Sequence, residues 1–191
     1  MVFATYFSTN LLNIFIQISY ESTEEHKNLK LKEINFFKTK EDVIAFIKRE
    51  KLELLEDIDI STNNNIKNLI DLFKRYISGE VINLYDKISE LNIELDILEK
   101  FPTKFSQEVI KKISNLKYGE TTTYSNIGNE IGSKAYRAIG NVCKSNPIPL
   151  IIPCHRVLRK NGEIGGFMGK LDKKWETNLK KQLLKIEGYK I

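Results

Sequence analysis

The chain has 191 residues, 41% hydrophobic and 29% charged, enough for one generous domain or two small ones and too apolar for a disordered chain. No run of 18 apolar residues is present to span a membrane, and two cysteines and two histidines fit neither a disulfide scaffold nor the spacing of a zinc site. The net charge of +5 conceals a segregation: residues 1–100 carry 13 Lys and Arg against 18 Asp and Glu, while residues 101–191 carry 17 against 7, so only the second half is suited to meet a polyanion.

Residues Met1 to Tyr20 are apolar but lack a basic leading region, and Thr9, Asn10, Asn13 and Gln17 interrupt them, which argues against a signal peptide. A cytoplasmic location, or a nuclear one in a eukaryote, is expected, with no membrane partner. Val2–Ser8, Asn13–Tyr20 and Lys30–Phe37 read as strands, with alternating or β-branched apolar residues between polar turns. Lys40–Glu50 and Asn63–Tyr76 read as helices, the second with Ile66, Leu69, Ile70 and Phe73 at helical spacing. Ile88–Leu95 alternates less cleanly and is taken as a further strand. The first half is therefore expected to be a small α+β module around a three-stranded sheet, with a scaffolding role.

Phe101-Pro102-Thr103 marks a boundary between residues 1–100 and 101–191, because Pro102 disfavours helix before it and Thr103 is a good N-cap. A helix from Lys104 to about Asn115 follows, with Phe105, Val109, Ile113 and Leu116 as its apolar stripe. Thr123 can cap a second helix to about Ile131, which Gly132 stops, and Ser133 a third from Lys134 to Lys144. Two short helices across a glycine turn form a helix-turn-helix pattern. Leu150-Ile151-Ile152 must be buried, and Asn161-Gly162 signals a tight hairpin that would make residues 157–167 a β-wing. A last helix is expected from Asp172 to Glu187, with Trp175, Leu179, Leu183 and Ile186 on one face and Gly188 as its stop.

Pro153-Cys154-His155-Arg156-Val157 is the most reactive string in the sequence. Thiolate is the nucleophile, and an adjacent base or cation raises its population at neutral pH. Consecutive side chains of an extended segment point apart, so a water between Cys154 and His155 is the natural geometry. A bare Cys-His pair is more often a structural cysteine beside a surface histidine. A bridge from Cys143 to Cys154 is conceivable, but a reducing cytoplasm and the proline-rich turn between them favour free thiols.

The whole string Asn-Pro-Ile-Pro-Leu-Ile-Ile-Pro-Cys-His-Arg-Val, residues 146–157, resembles the active-site signature of the O6-alkylguanine-DNA alkyltransferases, or methylated-DNA–protein-cysteine methyltransferases. The resemblance extends from about Phe101 to Gly188. It includes Tyr118-Gly119-Glu120-Thr121-Thr122-Thr123-Tyr124, Arg137-Ala138-Ile139-Gly140, Gly165-Gly166-Phe167 and Glu187-Gly188. Over residues 1–100 it is architectural only. It implies an α+β fold: a ribonuclease H-like amino-terminal module with a small three-stranded antiparallel sheet, then a mostly helical winged helix-turn-helix domain carrying the site.

The same resemblance implies direct repair of DNA. Cys154 would accept the alkyl group from O6 of a flipped guanine, once per molecule, with O4-alkylthymine as a further candidate substrate. His155 would take the thiol proton through a water, Glu187 would orient His155, and Asn146 would tie the preceding turn to the site. A carboxylate at a helix C-terminus opposes the helix dipole, so Glu187 itself asks for a cationic partner. Arg137 would fill the gap left in the duplex and Tyr124 would help rotate a phosphate. Ser133, Lys134, Tyr136 and Arg156 complete the expected DNA contacts. Tyr124, Pro149, Val157, Phe167 and Met168 would line the alkyl pocket. The expected partner is double-stranded DNA carrying O6-alkylguanine, bound through the minor groove by a monomer without metal or cofactor.

Two departures bear on the pocket. Met168 and Lys170 stand where small residues are usual, and the stretch from there to Glu187 is several residues longer than in typical members. A lesion-binding sensor, a winged-helix transcription regulator and a thiol hydrolase are the competing readings. Cys154 argues against the sensor, whose relatives carry another residue there; a regulator would not need Cys154, His155 and Glu187 to be coupled; and nothing resembles the oxyanion hole of a hydrolase.

Overall fold

The computed structural model describes residues 2–22, 29–55, 64–97, 99–169 and 173–190. The chain forms two compact units, Met1–Asp96 and Ile97–Ile191. Both mix helix and strand, so the fold class is α+β.

In the first unit, β1 (Val2–Thr9), β2 (Ile14–Ser22) and β3 (Leu29–Phe37) form an antiparallel meander, with Thr5 opposite Ile18 and Ile18 opposite Ile34. Among the described residues the sheet has five strands rather than the expected three, because β4 (Glu53–Leu54) and β5 (Ile93–Leu95) add parallel edges to β1 and β3. Two- and three-residue edge strands are too short to leave a period in the sequence. Ile14, Ile16, Ile18 and Tyr20 fill one face of β2, and Gln17 and Ser19 are buried on the other. These polar groups are satisfied laterally: Gln17 donates to Ser19 Oγ at 2.7 Å, and Asn35 donates to Gln17 Oε1 at 3.1 Å.

Three helices lie in this unit among the described residues. α1 (Lys40–Arg49) starts where Thr39 accepts the Asp42 N–H, and its Val43 and Ile47 cluster with Ala4. α2 (Asn64–Ile77) buries Ile66, Leu69 and Phe73, with Phe73 stacked on Phe7 at 6.4 Å between ring centroids. α3 (Leu84–Glu90) corrects the expected strand at 88–95. Leu84 and Ile88 are one helical turn apart and both buried, and only beyond Asn92, whose φ is +52°, does the chain extend into β5.

In the second unit, α4 (Lys104–Ser114) starts at Thr103, which accepts the Ser106 N–H at 3.1 Å. β6 (Thr122–Thr123) leads into α5 (Tyr124–Glu130), capped by Thr123. α6 (Tyr136–Lys144) begins two residues later than expected, and Ser133 is not its cap. The Ser133 hydroxyl instead accepts the Ala135 N–H at 3.2 Å while Tyr136 N–H closes a tight turn on the Lys134 carbonyl. The ring of Tyr136 lies against Gly128, where a Cβ would sit 2.5 Å from the Ser133 carbonyl and 2.6 Å from the ring. That contact requires glycine and draws α5 onto α6.

Leu150, Ile151 and Ile152 are buried as their composition demands. They lead to a 3₁₀ turn, Cys154–Arg156, and to β7 (Val157–Leu158). β7 pairs parallel with β6, Thr122 opposite Val157. The Asn161-Gly162 turn is present, closed by Arg159 N–H on the Glu163 carbonyl at 3.0 Å, but no second strand follows it among the described residues. The expected β-wing is therefore a turn rather than a hairpin. α7 (Lys173–Ile186) ends in a Schellman motif: Tyr189 N–H bonds the Leu184 carbonyl, Gly188 N–H bonds the Lys185 carbonyl, and Gly188 has φ +82°. Asp172 and Lys170, singled out in the sequence, lie outside the described residues. No helix of the described residues is long and apolar enough to cross a membrane.

Candidate active site

Cys154 opens the 3₁₀ turn, and its N–H is bonded to the Ile152 carbonyl at 2.8 Å. The extended conformation expected here is replaced by a turn with about three residues per revolution, which spreads successive side chains by roughly a third of a circle. Cys154 consequently faces a cavity, while His155 and Arg156 are both directed into the unit's interior against the end of α7.

Asn146 holds the turn before the thiol. Its side-chain amide donates to the Ile152 carbonyl at 2.8 Å and to Cys154 Sγ at 3.2 Å, and its Oδ1 accepts the Ile148 N–H at 3.1 Å. One side chain thus fixes both the loop and the sulfur. Between them Leu150 takes φ +75°, a left-handed conformation that costs a branched residue about 1–2 kcal/mol and is held by the surrounding apolar packing.

His155, Arg156 and Glu187 form a buried cluster, with His155 0% and Arg156 2% exposed. His155 Nε2 lies 3.0 Å from Glu187 Oε1. Arg156 grips the same carboxylate through Nε at 3.1 and 3.0 Å and Nη2 at 2.7 Å, and gives Nη1 to the Leu116 carbonyl at 2.6 Å. The sequence expectation that Arg156 contacts DNA is therefore wrong: its donors are committed to a buried carboxylate and a carbonyl. Gly119, with φ +78°, lies so close that a Cβ there would be 3.2 Å from the Glu187 carbonyl, and Tyr118 donates its hydroxyl to the Ile186 carbonyl at 2.8 Å. The 118–119 turn thus fixes the end of α7 that carries Glu187.

The electrostatics of the cluster follow from burial. Desolvation alone would raise Glu187, but the hydrogen bonds of His155 and Arg156 and the charge of the guanidinium overcome it and hold the carboxyl well below the usual range. Desolvation lowers the His155 pKa, against the pull of Glu187 and with further lowering from Arg156 and Lys180, so the ring rests neutral. With Glu187 ionised, Nε2 donates and Nδ1 is the basic nitrogen. Burial pushes the Cys154 thiol up, opposed by the Asn146 hydrogen bond and by the charge of Lys180. At rest the site holds a thiol and a neutral imidazole.

The cavity beside Cys154 has a volume of about 430 Å³, with Tyr124, Cys143, Phe167, Met168 and Glu176 among its walls. Burial raises the Tyr124 phenol, which therefore stays protonated. Gly165 is confined by that hydroxyl, 3.3 Å from where a Cβ would stand. Pro149 and Val157 were expected to line this pocket and do not. Pro149 is buried in a bridge to Ile152, and Val157 is wholly buried in β7. Both cysteines are free thiols. Among the described residues no three His, Cys, Asp or Glu side chains gather as metal ligands.

Arg137 and Lys134 are exposed around the start of α6, and Tyr136 is 39% exposed there. Ser133 is half-buried and engaged with the backbone. Sequence reasoning missed Lys180 and Glu176, both buried on α7, and the rim cations Lys144 and Arg159. The signal was available: Glu176 and Lys180 stand one turn apart beside the apolar stripe of α7, and charged residues on a buried face need a local purpose.

Residues 104–189 match the family described as the DNA-binding domain of 6-O-methylguanine DNA methyltransferase. A probable methylated-DNA–protein-cysteine methyltransferase of Acanthamoeba polyphaga mimivirus is 39% identical, over 65% of this chain and 78% of that one. The methylated-DNA–protein-cysteine methyltransferase of Methanothermobacter thermautotrophicus is 32% identical over 71% of each chain. The fold is similar to the crystal structure of Mycobacterium tuberculosis O6-methylguanine methyltransferase, with a TM-score of 0.67 at 24% identity over 98% of this chain and 93% of that one.

Proposed function

This chain belongs to the methylated-DNA–protein-cysteine methyltransferase family, and from that premise we propose that it repairs DNA by moving an alkyl group from O6 of guanine to Cys154, irreversibly and once per molecule. The observation that carries the reading is the coupling of a cavity-facing thiol to Asn146 on one side and, one residue on, of a buried histidine to Glu187.

The chemistry balances without a co-reactant. The Cys154 proton passes through a water to the basic nitrogen of His155, and Glu187 stabilises the imidazolium. Sulfur then attacks the alkyl carbon in line, the S–C bond forms as the C–O6 bond breaks, and the electron pair leaves with the base. The proton returns to that base, which departs as guanine. A thioether is not reopened by thiol exchange, so the molecule is spent. O4-alkylthymine is proposed as a second substrate on the same grounds.

A lesion at O6 lies inside the stack, so the nucleotide must be flipped at a cost of roughly a few kcal/mol. Arg137, exposed on α6, is proposed to fill the vacated position, and Tyr124, on the cavity wall, to steer the flipped nucleotide. α5 and α6 across the Gly132 turn are read as a helix-turn-helix, with the 159–163 turn as a reduced wing. Minor-groove docking by a monomer suits this arrangement, since a lesion that occurs in any sequence needs shape and charge readout rather than a base code. Lys134 and Tyr136 are proposed to flank that contact, with Ser133 fixing the turn before them. The first unit, read as ribonuclease H-like, is proposed as the scaffold, in the cytoplasm or in a eukaryote's nucleus.

The test is Cys154→Ala, assayed for transfer from an O6-methylguanine duplex and for duplex binding. Transfer is abolished and binding retained if the thiol is the acceptor. Residual transfer would overturn the assignment.

A further inference from the structure

Lys180 is wholly buried on α7, an unusual place for an ammonium. Its Nζ donates to the Val157 carbonyl at 2.6 Å and lies 3.5 Å from the Gly166 carbonyl. Among the described residues no carboxylate pairs with it. Buried charges are ordinarily matched by an opposite charge, because two dipoles replace the hydration of an ammonium only in part. Gly166 lies on the wall of the cavity that Cys154 faces, so the amine stands behind that wall.

The other cations of the site are committed or stand in solvent: Lys144, on the cavity rim, is exposed. Arg156 is locked to Glu187, whose negative charge it offsets, and His155 rests neutral. Arg159 is exposed and paired with Glu163 at 3.1 Å. When the proton leaves Cys154, the sulfur becomes an anion in a desolvated site with the Asn146 amide as its side-chain donor. The groups around it are Asn146 from the preceding turn, Cys143 from α6, Tyr124 from α5, Lys180 and the buried carboxyl of Glu176 from α7, and Lys144 and Arg159 on the cavity rim, with His155, Arg156 and Glu187 beyond the 3₁₀ turn. Lys180 is the one buried amine among them, and among the described residues no carboxylate is paired with it. Resting on the reading of Cys154 as the nucleophile, we propose that Lys180 is the buried counter-ion of the Cys154 thiolate, held behind the cavity wall by the Val157 and Gly166 carbonyls.

Lys180 is then a positioning residue that acts through the sulfur and need not touch the alkyl group. Burial pushes its own pKa down to about 8, opposed by the charges of Cys154 and Cys143 and helped by Arg159. An ammonium destabilised at rest and relieved by a nearby anion favours the ionised sulfur over the neutral thiol. A purely structural amine could be replaced by Met, whose bulk fills the same channel without charge.

The experiment uses iodoacetamide as the probe and no DNA, so its outcome is independent of whether the protein repairs alkylated duplex. The full-length protein and the Lys180→Met and Lys180→Gln variants are alkylated across a pH series. The label is read peptide by peptide, which separates Cys154 from Cys143. The expected result is a Cys154 midpoint at least one pH unit higher in both variants, about a tenfold loss of thiolate at neutral pH. Folded variants with an unmoved midpoint overturn the proposal. If neither variant folds, the lysine's own titration decides: its ε-carbon NMR signal is followed in the native protein and in Cys154→Ala. Linkage is reciprocal, so losing the sulfur lowers the lysine midpoint if the two are coupled, and an unchanged midpoint overturns the proposal.

Discussion

The side-chain amide of Asn146 lies 3.2 Å from the sulfur of Cys154, and the same nitrogen donates to the Ile152 carbonyl at 2.8 Å. The residue that closes the turn therefore also solvates the nucleophile, and any loosening of the turn moves a donor away from the charge that develops on sulfur. Asn146→Ala is expected to lose about 1–3 kcal/mol of stability, read by urea denaturation. It is also expected to slow Cys154 alkylation by roughly 10–100-fold, the worth of one hydrogen bond to a charged acceptor. Loss of stability without loss of rate would separate the two roles.

Arg156→Ala leaves the Glu187 carboxylate buried with His155 and without its guanidinium. Breaking a buried pair in this way costs about 3–5 kcal/mol, and Arg156→Lys does not restore it, because one ammonium cannot reproduce the fork. Since Arg156 is spent inside the molecule, the charge-removing Arg156→Met should leave the salt slope of DNA binding unchanged, measured on the folded variant by titrating duplex at several ionic strengths. A slope lower by about one would return Arg156 to the DNA surface.

Acid should dismantle this cluster early. Glu187 is held below the usual carboxylate range in the folded chain, so the unfolded chain takes up its proton first as pH falls. The stability it contributes is complete above the ordinary carboxylate pKa of about 4.3 and is lost progressively below it. His155, lowered by burial, acts in the same sense, because the unfolded ring protonates near pH 6.5 while the folded one resists. Denaturation midpoints measured from pH 7 to pH 3 should fall throughout that range, and Glu187→Gln should flatten the part below about pH 4.3. An unaltered slope in that variant would contradict the assignment.

Arg137 is exposed and far less constrained. Arg137→Ala is expected to slow repair in duplex DNA while leaving the reaction with a free O6-alkylguanine base intact, since only the duplex has to be opened. Equal rates on duplex for Arg137→Ala and the native protein would remove the flipping role.

Much of this architecture was readable from residue order. Period-two alternation marks β1 to β3, and Thr39, Thr103 and Thr123 each cap the helix that follows them. The apolar run Leu150–Ile152 is buried as a run of that kind must be. What was not readable depends on tertiary context. Ile88 and Ile93 look alike in sequence, yet one closes a helical turn on Leu84 and the other lies in an edge strand. Arg156 is basic, but a 3₁₀ turn directs it inward. Val157 is apolar, and β7 pairing removes it from the cavity it was expected to line. Lys180 shows in the sequence only as a break beside the apolar stripe of α7, since a lysine between Leu179 and Leu183 is ordinarily solvated.

The central claim is self-alkylation at Cys154, and intact mass measures it directly. The protein is mixed with excess duplex carrying O6-methylguanine, weighed, and digested. One added methylene unit, roughly 14 mass units, per molecule is expected of a stoichiometric covalent acceptor, confined to the peptide containing Cys154. An unchanged mass with duplex binding retained, or a label on another residue, would contradict it.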